Sequence, residues 1–201
     1  MSLAAFAVYC LTCFALALAP GPTVTVILAH ALRSGMAAAN MLIAGTVIGM
    51  LAWLGIATFG LARVIQSAGI WSDLLRYAGA AYVIWLGIRL LTKRNGFSLG
   101  EEGGRSGNLI AQGFLVILSN PKMFALYLVI IPPLLSNFNS ATSGTLLLGG
   151  TFVVVATLCD FAYALLGSKA GRWLMERSHL RTIEFVSGLC LIGAGLWLAL
   201  K

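Results

Sequence analysis

Lys122 and Asp160 are the two charged residues of this chain whose placement points to chemistry. Both lie inside long apolar stretches. A lysine near the centre of a bilayer costs about 2.5–3.5 kcal/mol on insertion scales, so it is expected to be paired or to face a cavity, where its ammonium could bind a negative group. Asp160 is the only acidic residue deep in an apolar stretch. It is a candidate partner for Lys122 and a candidate carrier of a coupling proton. Near a cytoplasmic mouth it would instead be merely solvated.

Lys122 belongs to Asn120-Pro121-Lys122, and an earlier stretch carries a second proline group, Pro20-Gly21-Pro22. Proline in a helix interior removes a backbone hydrogen bond and clashes with the preceding turn. In lipid the freed carbonyls would go unpaired, so such breaks persist only where protein or a water-filled cavity surrounds them. Gly21 between two prolines can adopt backbone angles closed to other residues, and Pro22 suits the first turn of a new helix. The new helix start offers unpaired N–H groups and a positive dipole end, with the hydroxyls of Thr23 and Thr25 just beyond. Together these could hold a carboxylate; the plainer reading is a kink that only shapes packing. Asn120 is placed to bond carbonyls freed by Pro121. The candidate binding set is therefore Pro20, Gly21, Pro22, Thr23, Asn120, Pro121 and Lys122, with Asp160 for proton coupling. Nothing in the sequence forms a metal cluster, phosphate loop or nucleophile triad, so no enzyme activity, metal or cofactor is expected.

The elements that must position these residues follow from composition. The chain has 201 residues, 60% hydrophobic and 9% charged. Soluble domains carry roughly 25% charged residues, so lipid is the expected solvent. Thirteen Lys and Arg stand against six acidic residues, but no basic run is interleaved with stacking aromatics, which argues against a nucleic-acid partner. Ala15-Leu16-Ala17 and Ala17-Leu18-Ala19 resemble signal-peptide cleavage sites. With no Lys or Arg before the apolar run, the segment is read as retained helix. Cys10, Cys13, Cys159 and Cys190 all lie in apolar stretches and suit core packing better than a disulfide framework.

A span needs about 20 apolar residues. Six segments qualify: 3–32 and 109–135, which hold the breaks, and 39–62, 70–91, 144–167 and 181–200. The glycine-rich polar linker 92–108 divides the chain into half-repeats 1–91 and 109–201 of one membrane domain. Three spans per half force the halves to run in opposite directions, the geometry of inverted repeats. The expected fold is all-α and integral to the membrane, six transmembrane helices in two inverted three-helix repeats, with helices 1 and 4 broken. Arg33, Arg89, Lys93, Arg94, Arg105, Lys169, Arg172, Arg177 and Arg181 fall on one side of this arrangement. Arg63, Arg76 and Lys201 fall on the other. The positive-inside rule then makes the first side, with the linker, cytoplasmic and places both termini outside. Gly45 and Gly49, and similarly Gly79 and Gly87, permit close helix approach. Trp53, Trp71, Trp85 and Trp173 read as interface or packing residues, and Arg76 can snorkel outward.

These motifs resemble the LysE/RhtB family of amino-acid exporters over nearly the whole chain. The match runs through Ala19-Pro20-Gly21-Pro22, then Gly79-Ala80-Ala81-Tyr82 with Leu86-Gly87-Ile88-Arg89-Leu90-Leu91, then Gly113-Phe114 leading into Asn120-Pro121-Lys122, and Asp160. The chain departs from the family pattern at Thr23, where asparagine is common, at Met50, where aspartate is common, and at Pro132-Pro133, where proline then glutamine is common. Loss of the second-span acid argues against a cationic side chain on the substrate. The resemblance implies export of a small neutral amino acid, homoserine-, threonine- or leucine-like, across the bacterial cytoplasmic membrane, coupled to protons. Its partners would be substrate, proton and bilayer, with a homo-oligomer left open. The competing class is a transmembrane thiol-disulfide electron carrier using Cys10 and Cys13; neither cysteine adjoins a break.

Overall fold

A computed structural model of the chain describes residues 1–66, 77, 80–81, 83–85, 87–88, 91–92, 108–174 and 177–200. Every regular element among them is helical. Helix α1 spans Leu3–Leu18 and is capped by the Ser2 hydroxyl, which accepts from Ala5 N at 3.2 Å. It stops at Ala19, because the residue before a proline is pushed out of helical geometry. Helix α2 restarts with Pro22 at its first position and runs to Gln66. Proline tolerates that position, where its missing N–H has no partner to lose.

Helix α2 is interrupted at Gly35, whose φ of 80° is the one positive φ among the described residues. The chain reverses there. Helix α5, Ala141–Leu174, shows it. A side chain on Gly167 would meet Leu28 and Ala31 before the interruption, and Tyr163 clusters with Val24 and Leu28. Beyond the interruption, Asp160 lies near Thr46, and Gly149 faces Leu54. The first arm therefore runs along α5 and the second runs against it. Glycine fits this turn because the left-handed region carries no Cβ penalty for it.

Helix α3, Leu109–Leu118, is capped by Asn108 Oδ1, which accepts from Ile110 N at 3.1 Å and Ala111 N at 3.3 Å. Its end is followed by a bend of 49° into the short helix α4, Pro121–Phe124. The sequence places that break correctly but carries no sign of the two turns beyond it. Ala125–Ile130 is a π-helical turn, closed by Ile131 N donating to Leu126 O at 2.9 Å. Pro132, which lacks an N–H, then starts a 3₁₀ turn over Pro132–Asn137. The last element, α6, is Arg177–Leu200.

The core gathers around the breaks. Tyr9, Cys13 and Leu16 of α1, Met50 and Leu54 of α2, Met123 of α4, Leu126 and Tyr127 of the π turn and Leu148 and Phe152 of α5 form one buried cluster. A second joins Val26, Ile27 and Ala31 to Ala39, Leu42, Ile43 and Ala164. Between α2 and α3 the backbones touch. A Cβ on Gly45 would strike the Ile110 carbonyl, and one on Gly113 the Leu42 carbonyl. Gly87 likewise lies against the Gly188 carbonyl, at 2.7 Å from its would-be Cβ. The expectation of glycine-mediated packing at Gly45, Gly49 and Gly87 holds.

By length and composition, the apolar stretch Pro22–Gly60, folded back at Gly35, and Ala141–Lys169 are membrane-span candidates, and the bent pair Leu109–Leu118 with Pro121–Asn137 makes another. Leu3–Leu18 is apolar but shorter than a span. Most of the expected span 70–91 lies outside the described residues. So do Arg76, Gly79, Arg89, the linker residues 93–107 and Lys201, together with the side chains of Arg63, Arg172, Trp173, Arg177 and Arg181. The charge asymmetry used for orientation rests largely on those positions.

Candidate functional site

The last carbonyls of a helix have no partner within it. At the end of α1 they are taken by side chains from the second half of the chain. The Lys122 ammonium donates to Leu16 O at 2.9 Å and also to Ala19 O. The Tyr163 hydroxyl donates to Leu18 O at 2.7 Å. A cation at a helix C-terminus also complements the negative end of the helix dipole. Lys122 thus sits in the first break, not only in its own.

Asn120 ties the breaks together a second time. Its Nδ2 donates to Thr23 Oγ1 at 2.8 Å across 97 residues of sequence. Its Oδ1 accepts from Lys122 N at 3.0 Å, capping α4. Asn120 was expected to bond carbonyls freed by Pro121. It instead caps the helix that Pro121 begins and reaches to the other half. Asparagine suits both tasks because its amide carries an acceptor and two donors.

Gly21 serves a different purpose from the one its neighbours suggest. Its φ is not in the left-handed region. A Cβ there would stand 3.1 Å from Lys122 Cε and 3.2 Å from Lys122 Nζ. The absence of a side chain leaves room for the lysine to lie across the break. Thr25 is also reassigned: its hydroxyl donates to Gly21 O at 2.9 Å within its own helix turn.

Asp160 is 6% exposed, which removes the reading of it as a solvated residue at a mouth. The expected direct pairing with Lys122 is not made. No ion pair within 4 Å joins them among the described residues, because the lysine's reach is spent on the carbonyls of α1. The two charges still interact through space. The contact partner of Asp160 is Thr46, on the second arm of α2. The Thr46 hydroxyl also donates to Ile43 O at 2.9 Å. A hydroxyl has one proton and two lone pairs. With its proton on Ile43 it can accept from a protonated Asp160, and with that proton swung across it can donate to the carboxylate. The same contact serves both forms.

The polar links that cross between the two halves are Lys122 to Leu16 and Ala19, Asn120 to Thr23, Tyr163 to Leu18, and Asp160 to Thr46. Thr46 and Tyr163 were missed by sequence reasoning. Each is an ordinary residue of an apolar helix, and only its partner makes it part of the site. Met50 is fully buried in the apolar cluster with Met123, so the family's acidic position is here a packing position. Cys10, Cys13, Cys159 and Cys190 are free. Cys13 is buried near the Tyr9 hydroxyl.

The arrangement as a whole presents one ammonium with three N–H donors, two of them occupied, beside a helix N-terminus and within the electrostatic reach of a carboxyl group. That is a small site of mixed charge suited to a zwitterion.

The family model described as "LysE type translocator" matches residues 14–201. A homoserine/homoserine lactone efflux protein of Salmonella typhi is 27% identical over 190 residues, covering 92% of this chain and 92% of that protein. A leucine efflux protein of Klebsiella pneumoniae is 28% identical over 198 residues, covering 90% and 88%. An uncharacterized membrane protein of Bacillus subtilis is 25% identical over 188 residues, covering 88% and 90%. No solved structure matches.

Proposed function

Because this chain belongs to the LysE type translocator family, we propose that it is a secondary transporter that exports small neutral amino acids across the cytoplasmic membrane. The observation that carries this reading is the Lys122 ammonium lying in the first break with one N–H donor still to give. The substrate carboxylate takes that donor and the first N–H of α2, at Thr23, since Pro22 has none. Helix-terminal donors and an ammonium are the groups that best stabilise a carboxylate in a site with little water. Similarity to proteins named for homoserine and leucine efflux supports the substrate class and the direction.

Asp160 binds the substrate amine or carries the coupling proton. Its contact with Thr46 supports the second role, since the hydroxyl can serve either protonation state. The polar links between the halves are the ones that must loosen when the halves rock about their breaks. The full arrangement in this reading is six spans in two inverted three-helix repeats, with both termini outside.

The test is efflux of a labelled neutral amino acid from loaded vesicles, with and without an imposed proton gradient. Wild type should release it faster with the gradient. Asp160→Asn keeps the size of the side chain and should lose the gradient dependence. Release by Asp160→Asn with wild-type rate and gradient response would remove Asp160 from coupling. Failure of wild type to release any neutral amino acid would sink the export reading.

A further inference from the structure

Buried Tyr hydroxyls and Trp N–H groups usually find a hydrogen-bond partner. In this protein Tyr9 donates to Leu148 O at 2.7 Å and Tyr163 to Leu18 O at 2.7 Å. Tyr127 and Trp53 break the pattern. The Tyr127 hydroxyl and Trp53 Nε1 are both closed off from solvent and have no hydrogen-bond partner among the described residues. The two rings belong to one stack, with centroids 6.0 Å apart and planes 6° from parallel. Phe124 meets the Trp53 ring edge-on at 4.8 Å. Tyr127 is fully buried, and its hydroxyl abuts Gly149, whose would-be Cβ stands 3.0 Å away. Leaving a buried donor unmade costs about 1–3 kcal/mol, so two in one stack call for a partner that arrives during the working cycle.

The position of this pair says what that partner is attached to. Tyr127 follows Lys122 by five residues. Cys13 and Leu16, one turn apart on α1, share the core cluster with Tyr127, and the Leu16 carbonyl accepts from Lys122. Tyr127 therefore packs in the same cluster as the turn of α1 whose Leu16 carbonyl accepts from Lys122. Tyr127 is held by the π turn Ala125–Ile130, and such turns recur at functional sites because the extra residue re-aims side chains.

We propose that Trp53 and Tyr127 form the side-chain subsite of the transport path and receive an acceptor oxygen on the substrate's side chain. The proposal rests on the export reading above and narrows its substrate class. A hydroxyl or carbonyl oxygen offers the lone pairs that these donors lack. An oxygen-bearing side chain such as that of homoserine satisfies them, whereas a leucine side chain leaves both unpaired. A site built to bond a substrate oxygen rejects an analogue that lacks it.

The experiment loads vesicles with equal homoserine and leucine and measures both rates of release for wild type, Tyr127→Phe and Trp53→Phe. Tyr127→Phe removes one oxygen atom and keeps the ring stack. Wild type should favour homoserine, and each variant should lower the homoserine-to-leucine ratio by about tenfold. A ratio unchanged from wild type, whether both rates fall together or neither falls, overturns the subsite. So does a wild type that favours leucine. Release of neither amino acid by wild type defeats the export reading itself, and is distinguished from those outcomes by the absence of any ratio to compare.

Discussion

The two proline breaks differ in what they contribute, and the difference shows how the halves fit. The first offers acceptors and space: the carbonyls of Leu16, Leu18 and Ala19, the Thr23 hydroxyl and the bare Gly21. The second half supplies the donors: the Lys122 ammonium, the Asn120 amide and the Tyr163 hydroxyl. Corresponding broken helices in two halves invite a reading as copies of one device. Here they are complementary parts. Each leaves backbone or side-chain groups that its own segment cannot satisfy, and the other half meets them. A membrane interior makes that demand strict, because no water is present to substitute.

Four substitutions break or sharpen this comparison. Lys122→Ala should have the largest effect. It removes the ammonium of the centre and strips the Leu16 and Ala19 carbonyls of their donor. Amino-acid efflux from loaded vesicles should fall by roughly a hundredfold, the value of a charge-assisted hydrogen bond lost at the site. Efflux near wild type would mean that the second break supplies no binding charge.

Gly21→Val comes next. Its Cβ would crowd Lys122 Cε and Nζ, which lie 3.1 and 3.2 Å from that point. The lysine end is flexible and can retreat, so the expected result is a properly folded protein with efflux reduced about tenfold. Gly21→Val should add little to Lys122→Ala in a double variant, because both act through the same ammonium. Independent, additive losses would show that Gly21 serves the backbone and not the lysine.

Thr23→Val leaves Asn120 Nδ2 without its acceptor. A drop of about 1–2 kcal/mol in unfolding free energy is expected, read from thermal or denaturant unfolding in detergent. An unchanged midpoint would detach the two breaks at this point.

The smallest effect belongs to Thr25→Val. Its hydroxyl bonds its own helix turn at Gly21 O, so stability should move by no more than about 0.5 kcal/mol and efflux should stay near wild type. A strong transport defect would restore Thr25 to the substrate path.

Much of this was legible in the sequence. The membrane class, the two break points, the close glycine contacts at Gly45, Gly49 and Gly87, and the residues at the breaks themselves all follow from local rules. Proline cannot supply an N–H or share space with the preceding turn, wherever it is folded. A chain that is 60% hydrophobic cannot hide its surface from water. Such statements need no knowledge of distant neighbours.

Pairings were decided only by the tertiary structure. Lys122 could reach a carboxylate or a helix end, and its composition-based preference pointed to Asp160. Its actual partners lie 106 and 103 residues away. Gly21 looked like a backbone device and is a gap for a side chain. The chain reversal was carried by Gly35, which no motif marked. The π turn that holds Tyr127, and the two donors left open beside it, have no sequence signature. A residue's type limits which bonds it can make; which bond forms depends on the position and direction of groups brought together from opposite halves of the chain. That is why the sequence alone determined the membrane class and the breaks, and the packing of one half against the other brought in Thr46 and Tyr163 and decided which groups bond.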